Sequence, residues 1–421
     1  MRSHMHTARQ VAWPIILYLF IGIMNSLSMK FSYVIEAKGL PQLGYHDFQK
    51  PWFIILVAFF GQSLITIVYV ILKSKKINKF PEDVNITDLN FLQFLIFAIP
   101  AVADVFESIA SAVTIAYIGP SIDAMLKSFT LVGASLISRF YFRRHFLLYK
   151  WVGISLVIGA LIIVACAGIF NASLSSTIQA SPAVAALIIM VKIISQLGYA
   201  AKISFEEFFT QINGFHPMMI SGIEGCWCTI IIAFICLPIA QYMPGEEGNG
   251  IHEDTLDTFL MLKHSPTLIV LVCIMFLLGL VYSFVSITVI QRTSAVTQTI
   301  WKAFRTFLIW ITQFVIFYTF KTNKTLYPYR LAGEEWVGGS YMKLAGFIIM
   351  IFGIFCYNKI PKYPCFTYTD KDEVTDKSFE TTCENSKVTN STLIGDEIGI
   401  PPKKKKKIED DDNSDSSVLD L

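Results

Sequence analysis

PTLIVLVCIMFLLGLVYSFVSITVI, residues 266–290, runs for 25 residues without one charged side chain. As a helix rising 1.5 Å per residue it reaches about 37 Å, more than the ~30 Å hydrocarbon layer of a bilayer. Only Gln291-Arg292-Thr293 follows before a second apolar stretch, 294–320, and so short a link makes the two helices antiparallel neighbours. Working outward, ten such blocks can be marked, at roughly 11–29, 51–72, 91–118, 121–140, 149–169, 181–202, 217–240, 266–290, 294–320 and 341–357. The composition agrees: 54% of the 421 residues are hydrophobic and 16% charged, against about 25% charged in a soluble domain. Soluble enzymes are excluded, and so is a β-barrel, whose strands would alternate apolar and polar positions. The expected class is an all-α membrane protein with ten transmembrane helices.

Charge in the loops sets an expected orientation, because Lys and Arg concentrate on the cytosolic side. With the N-terminus in the cytosol, fourteen near-membrane Lys/Arg face the cytosol, Lys202 among them, and seven face the other way, Lys50 among them. Both termini are then cytosolic. The first block lacks a cleavable small-residue site and reads as a retained span. Of the glycosylation sequons, Asn85 and Asn390 face the cytosol, Asn171 lies close to the membrane, and Asn323-Lys324-Thr325 is the usable candidate on the luminal side. The expected divisions are a short N-terminus (1–10), a first five-helix repeat (11–170), a second (181–357) and a disordered, charged cytosolic tail (358–421). Within the tail, Lys403, Lys404, Lys405, Lys406 and Lys407 suit a solvated run or contact with anionic lipid headgroups. The net charge of only +2 gives no footprint for nucleic acid.

Side-chain chemistry for catalysis is missing from the spans. All seven histidines, His4, His6, His46, His145, His216, His252 and His264, fall in loops or at span ends, so no metal triad or His–Asp pair is expected at membrane depth. Six of the eight cysteines lie in apolar blocks and two in the tail, and Cys226-x-Cys228 reads as buried thiols rather than a metal site. No Gly-rich phosphate loop follows a strand. No enzyme activity, cofactor or metal is expected.

Eight ionisable residues fall inside the blocks: Asp104, Glu107, Asp123 and Glu224 against Lys127, Lys192, Lys302 and Arg305. Each charge at a helix centre costs roughly 2.5–3.5 kcal/mol on insertion scales, so these groups must pair or line a wet cavity. Helix spacing puts Asp104 and Glu107 on one face, Asp123 and Lys127 on another, and Gln298, Lys302 and Arg305 on one stripe. Lys127 descends from the lumen and Arg305 rises from the cytosol, so the two approach the midplane from opposite sides. The functional expectation is a central cavity in which Lys127, Lys302, Arg305 and Gln298 hold an anionic or zwitterionic substrate. Asp104, Glu107, Asp123 and Glu224 would serve as counter-ions or proton carriers, and Glu206 and Glu207 would sit at the cytosolic mouth as a gate or solvated face. Lys192, seen as a lone lysine, is expected to snorkel.

The third to fifth and eighth to tenth blocks echo each other: Lys127-Ser128-Phe129 matches Lys302-Ala303-Phe304, and Lys150-x-x-Gly153 matches Lys343-x-x-Gly346. Five spans per half would send the second half into the membrane from the opposite side, the plan of inverted-repeat transporters. Further motifs are Asn25-Ser26-Leu27-Ser28-Met29-Lys30, Pro100-Ala101-Val102-Ala103-Asp104, Met125-Leu126-Lys127, Glu206-Glu207-Phe208, Gly222-Ile223-Glu224-Gly225 and Glu253-Asp254-Thr255-Leu256-Asp257. In the ninth block stand Ser294-Ala295, Arg305-Thr306 and Ile309-Trp310. On these motifs the chain resembles the drug/metabolite transporter superfamily and, within it, the F branch of solute carrier family 35, over nearly all of residues 11–360. It departs from the family pattern in two places. Ala124-Met125-Leu126-Lys127-Ser128 stands where Gln-Met-Leu-Arg-Gly is usual, and Lys302 replaces an acidic residue. The resemblance implies an EamA-like helical fold, a Golgi or lysosomal membrane and a nucleotide-sugar-like anion as leading substrate. The expected function is alternating-access transport of a small polar organic solute, as a monomer or homodimer in the lipid bilayer. The competing class is a non-transporting membrane scaffold or accessory subunit that acts through its tail.

Overall fold

The computed structural model describes residues 2–74, 91–118, 122–123, 126–141, 147–175, 182–212, 215–243, 247, 252–323 and 327–357. The tail, with Lys403 to Lys407, and the sequons at Asn85 and Asn390 lie outside them. Each of the ten apolar blocks falls on a helix. They are α1 (Arg2–Ser32), α2 (Pro51–Ser63, continued after Leu64 by Ile65–Ser74), α3 (Phe91–Ile96, continued after Phe97 by Ala98–Tyr117), α4 (Thr130–Phe140, entered by a 3-10 turn at Lys127–Phe129) and α5 (Leu148–Ser175). Then come α6 (Pro182–Glu207, ending in a π turn Phe208–Ile212) and α7 (Pro217–Ile231, a π turn Ile232–Cys236, then Leu237–Tyr242). A short α8 (Thr255–His264) precedes α9 (Pro266–Arg292), α10 (Ala295–Thr322) and α11 (Gly338–Tyr357). Among the described residues, eight of these helices are long and apolar enough to cross a membrane, and Leu148–Ala160 of α5 makes a shorter apolar stretch. The chain is an all-α, multi-pass membrane protein.

Local chemistry explains where the helices begin. Pro51, Pro182, Pro217 and Pro266 stand in first turns, where the missing N–H costs nothing. Ser294 accepts the N–H of Thr297 at the start of α10, and Asp254 that of Leu256 at the start of α8. Burial is inverted relative to a soluble protein. Ile16, Leu187, Phe234 and Leu277 are exposed on the outside, whereas Lys192, Glu206, Glu224, Gln298 and Lys302 are buried inside.

The bundle is held by a small set of helix pairs: α5 with α11, α3 with α6, α1 with α9, α2 with α9, α3 with α7, α2 with α7, α4 with α6, α1 with α10 and α4 with α10. The α5–α11 contact is a backbone approach. A Cβ on Gly153 would lie 2.8 Å from the carbonyl oxygen of Gly353, and one on Gly353 would lie 2.9 Å from that of Gly153. Only two glycines allow this crossing.

The end of the bundle where α1 begins is termed the near end; Arg292, in the turn between α9 and α10, lies there with its guanidinium 5.4 Å from the Trp13 ring. The far end carries a cap that the loop sequence did not foretell. Strands β1 (Glu36–Lys38) and β2 (Tyr45–Asp47) pair antiparallel with Ala37 opposite His46, and α8 packs on them. Asp257 joins the parts: Oδ1 accepts the Leu40 N–H at 2.7 Å, and Oδ2 lies 2.6 Å from Lys50 Nζ and 2.9 Å from His46 Nε2. Glu253 accepts the N–H groups of Trp52 and Phe53 at 2.9 and 3.0 Å, which satisfies the first turn of α2. Lys50, expected to be a solvated loop lysine, is instead fully buried between Asp257 and Glu247.

Candidate functional site

A polar stripe runs along α6 at helical spacing: Lys192, Gln196, Tyr199, Lys202 and Glu206. It divides the buried charge into two groups. Toward the far end, Lys192 Nζ lies 2.9 Å from both Glu107 of α3 and Asp123, and Asp123 lies 2.9 Å from Lys127. Ser111 and Gln196 both donate to Glu107 Oε1, at 3.0 and 2.9 Å, and Thr130 donates to Gln196 Oε1 at 2.7 Å. Lys192 is therefore no snorkelling lysine. It is fully buried, and it gives Glu107 of α3 and Asp123 a shared cation. Lys127 keeps 26% of its side chain exposed, so this group is reachable from solvent.

Lys302 and Arg305 of α10 differ from the rest: among the described residues neither is in an ion pair. Lys302 Nζ sits 3.7 Å from the Tyr199 ring centroid and 3.5 Å from Thr130 Oγ1. Arg305 lies beside the stacked rings of Tyr18 and Tyr282, 5.1 and 5.2 Å from their centroids, and donates to the Tyr282 hydroxyl at 2.5 Å. Its Nε, though buried, has no partner. Gln298 completes the α10 stripe, donating to Tyr18 at 3.1 Å and Ser286 at 3.0 Å, with its own carbonyl oxygen unpartnered. Gly22 of α1 makes room for the guanidinium, since a Cβ there would lie 2.4 Å from Arg305 Nη1. Lys302 is within electrostatic range of Lys127, Lys192 and Arg305, so the cations of α4, α6 and α10 do converge.

Toward the near end the signs reverse. Lys202 Nζ lies 2.9 Å from Asp104 and from Glu206, and 3.6 Å from Glu224 of α7. Asp104 and Glu107 share a face of α3, as their spacing predicts, yet each turns to a different lysine. Glu206 and Glu207 are not at a solvated mouth: they are 1% and 2% exposed. Glu207 accepts the Ala295 N–H at 3.2 Å, and Gln211 donates to the carbonyl oxygens of Ile290 and Thr293 at 2.9 and 3.2 Å. The end of α6 is thereby strapped to the α9–α10 turn.

Sequence reading missed Lys202, counted among loop lysines, because α6 runs further than its apolar block. The opposite charge at Glu206, one turn on, was the available signal. Tyr18, Tyr199 and Tyr282 had none: 17 tyrosines are scattered through the chain, and only tertiary placement singles out three. An apolar groove of about 380 Å³ also opens on the flank between α4 and α6, lined by Leu136, Phe140, Phe205 and others, and it holds none of the charged groups.

Comparison with known proteins bears on this geometry. Solute carrier family 35 member F6 of Homo sapiens is 25% identical over 356 residues, which cover 81% of this chain and 87% of the relative. The Rattus norvegicus protein of the same name is 26% identical over the same shares. The resemblance to solute carrier family 35 holds. It covers 81% of the chain rather than resting on isolated motifs. An uncharacterized protein of Schizosaccharomyces pombe is 23% identical over 83% of this chain and 98% of its own length. No protein-family model matches the chain.

Proposed function

We propose that the protein is a secondary transporter of ten membrane-crossing helices in two inverted five-helix halves, moving a small anionic organic solute by alternating access. The charge around Lys302 and Arg305 carries this reading. Four cations, Lys127, Lys192, Lys302 and Arg305, meet two carboxylates, Glu107 and Asp123, an excess of two positive charges inside the bundle. Buried charge left without a partner is costly. A dianion, such as the diphosphate of a nucleotide sugar, would offset that excess, while Gln298 and the tyrosine hydroxyls offer neutral hydrogen bonds beside it.

The packing supports the inverted repeat. Exchanging α1 with α6, α2 with α7, α3 with α9, α4 with α10 and α5 with α11 carries these nine helix pairs into one another, while the α5–α6 and α6–α9 contacts lack a counterpart of similar extent. Contacts α3–α6 and α1–α9 swap, as do α2–α9 with α3–α7 and α4–α6 with α1–α10. The relatives are named solute carriers, which supports transport. For orientation, removing buried Lys202 from the cytosolic count and Lys50 from the luminal one leaves thirteen against six, which still favours cytosolic termini. The family resemblance favours an endomembrane, Golgi or lysosomal.

Uptake of radiolabelled UDP- and GDP-sugars, nucleoside monophosphates and amino acids into proteoliposomes tests the reading. Saturable flux of an anionic class is expected. Lys302→Ala and Arg305→Ala are each expected to cut it at least tenfold, in line with ~1.5–3 kcal/mol for a charged hydrogen bond. Flux that ignores both substitutions removes the cavity as the substrate site. No flux of any class would leave a membrane scaffold as the better description.

A further inference from the structure

The near-end cluster is as unbalanced as the anion site, with the opposite sign. Lys202 is one ammonium facing three buried carboxylates, Asp104, Glu206 and Glu224. Fully ionised, the group carries an excess of two negative charges. Glu224 is 0% exposed and, among the described residues, neither of its oxygens accepts a hydrogen bond; Glu206 Oε1 has the Lys202 ammonium at 2.9 Å. The two carboxyls share that ammonium, which lies 3.6 Å from Glu224 Oε2.

Every element packed here offers something to the cluster, but none adds a second cation to it. Tyr199 of α6 and Cys228 of α7 face it, Tyr18 of α1 lies within range of Glu206, and Tyr282 of α9 stands behind Tyr199. Phenols and thiols of ordinary acidity are neutral at cellular pH. Arg305 lies beyond Tyr18, engaged with Tyr282. Among the described residues no cluster of His, Cys, Asp and Glu is arranged to hold a metal ion, and the Lys202 ammonium already occupies the centre of this one. Two carboxylates pressed together in low dielectric cannot both stay ionised at small cost. A proton would convert the Glu206–Glu224 contact from repulsion into a carboxylic acid–carboxylate hydrogen bond.

We propose that the Glu206–Glu224 pair beside Lys202 is a proton-binding site, and that the proton it takes is the coupling ion of transport. The proton joins a carboxylate oxygen and nothing is oxidised or reduced. The coupling half of the proposal rests on the anion-transport reading. Lys202 and Lys302 both lie over the Tyr199 ring, 5.3 and 3.7 Å from its centroid, so the two sites share a wall. An anion arriving at Lys302 and Arg305 adds negative charge next to the carboxyl pair and strengthens its hold on a proton. By linkage the proton strengthens anion binding by the same factor. The direction is therefore symport.

Infrared difference spectroscopy of the full-length protein in detergent reads the site directly, because a protonated carboxyl has a carbonyl band that shifts in D2O. Titrating from about pH 5 to about pH 9 should reveal, in a Glu253→Gln background that removes the other raised carboxyl, one buried carboxyl losing its proton. Glu224→Gln and Glu206→Gln should each remove or displace that band. Absence of the band from that background, or its persistence unchanged in either variant that folds, overturns the proposal. If neither variant folds, the Glu253→Gln spectra decide: a titrating carboxyl band must remain in them. A parallel uptake assay with a pH-sensitive dye inside the vesicles separates the two readings. Anion flux without a titrating carboxyl leaves the transporter and sinks the proton site. A titrating carboxyl with no flux does the reverse.

Discussion

Arg305 keeps its charge without a carboxylate because Tyr18 and Tyr282 flank it and Gly22 leaves space for it, an arrangement that one methyl group should undo. Gly22→Ala would place Cβ 2.4 Å from Nη1 and 2.5 Å from Cδ of Arg305. The expected result is a loss of about 1–3 kcal/mol in stability, typical of overpacking, and no thermal stabilisation by an anion that stabilises the wild type. Differential scanning fluorimetry with and without the anion reads both. Lys192 makes a different prediction. Lys192→Met strands Glu107 in the interior, leaves Asp123 to Lys127 alone, and should cost about 3–5 kcal/mol. Adding Glu107→Gln and Asp123→Asn should recover most of the lost melting temperature, and a triple variant as unstable as the single one would show that packing, not charge, is responsible. At this scale the sequence was informative about acids and bases, since a charge in an apolar block stands out. It was silent on who pairs with whom: Asp104 and Glu107 share a face, but the ten-residue separation of Lys192 and Lys202 decides that they serve opposite clusters.

Helices and their caps were legible to different degrees. All ten apolar blocks are helical, because twenty or so apolar residues leave the backbone no other way to satisfy itself in lipid. The far-end cap was not legible, since β1, β2 and α8 are short and carry no sustained period. The Glu253–Asp257 run was recognisable as a motif, but its work became clear only in place: Glu253 holds the first turn of α2, Asp254 starts α8, and Asp257 gathers Lys50, His46 and Leu40. Burial pushes the Glu253 carboxyl up from 4.5 to about 8, against the pull of the Trp52 and Phe53 N–H groups and of Lys50. A raised acid binds its proton more tightly folded than unfolded, so its contribution is complete below about pH 4.5 and fades as pH rises through about 8. Hydrogen exchange over residues 252–264 should therefore be slower, relative to intrinsic rates, near pH 6 than near pH 9, and Glu253→Gln should flatten the difference. An equal difference in the variant would assign the effect elsewhere.

On the scale of the whole molecule, the proposed inverted plan rests on the odd number of spans per half in the sequence, which does not say how helices pair. The orientation it implies has a chemical check. Asn323 is exposed at the end of α10, and in mammalian cells a glycosidase-sensitive glycan is expected there, abolished by Asn323→Gln. Glycans on Asn85 or Asn390 instead would turn the molecule over. The glycine crossing of α5 and α11 bears on how the chain is made. Its two strips of bare backbone are separated in synthesis by 200 residues, from Gly153 to Gly353, roughly 10–40 s at 5–20 residues per second. Until the last helix leaves the ribosome, the notch at Gly153 faces lipid with nothing to fill it. The molecule is thus left unlatched through most of its biogenesis, and α11 is the bolt: a nascent chain interrupted before it would display an open seam by which the cell could recognise an unfinished product.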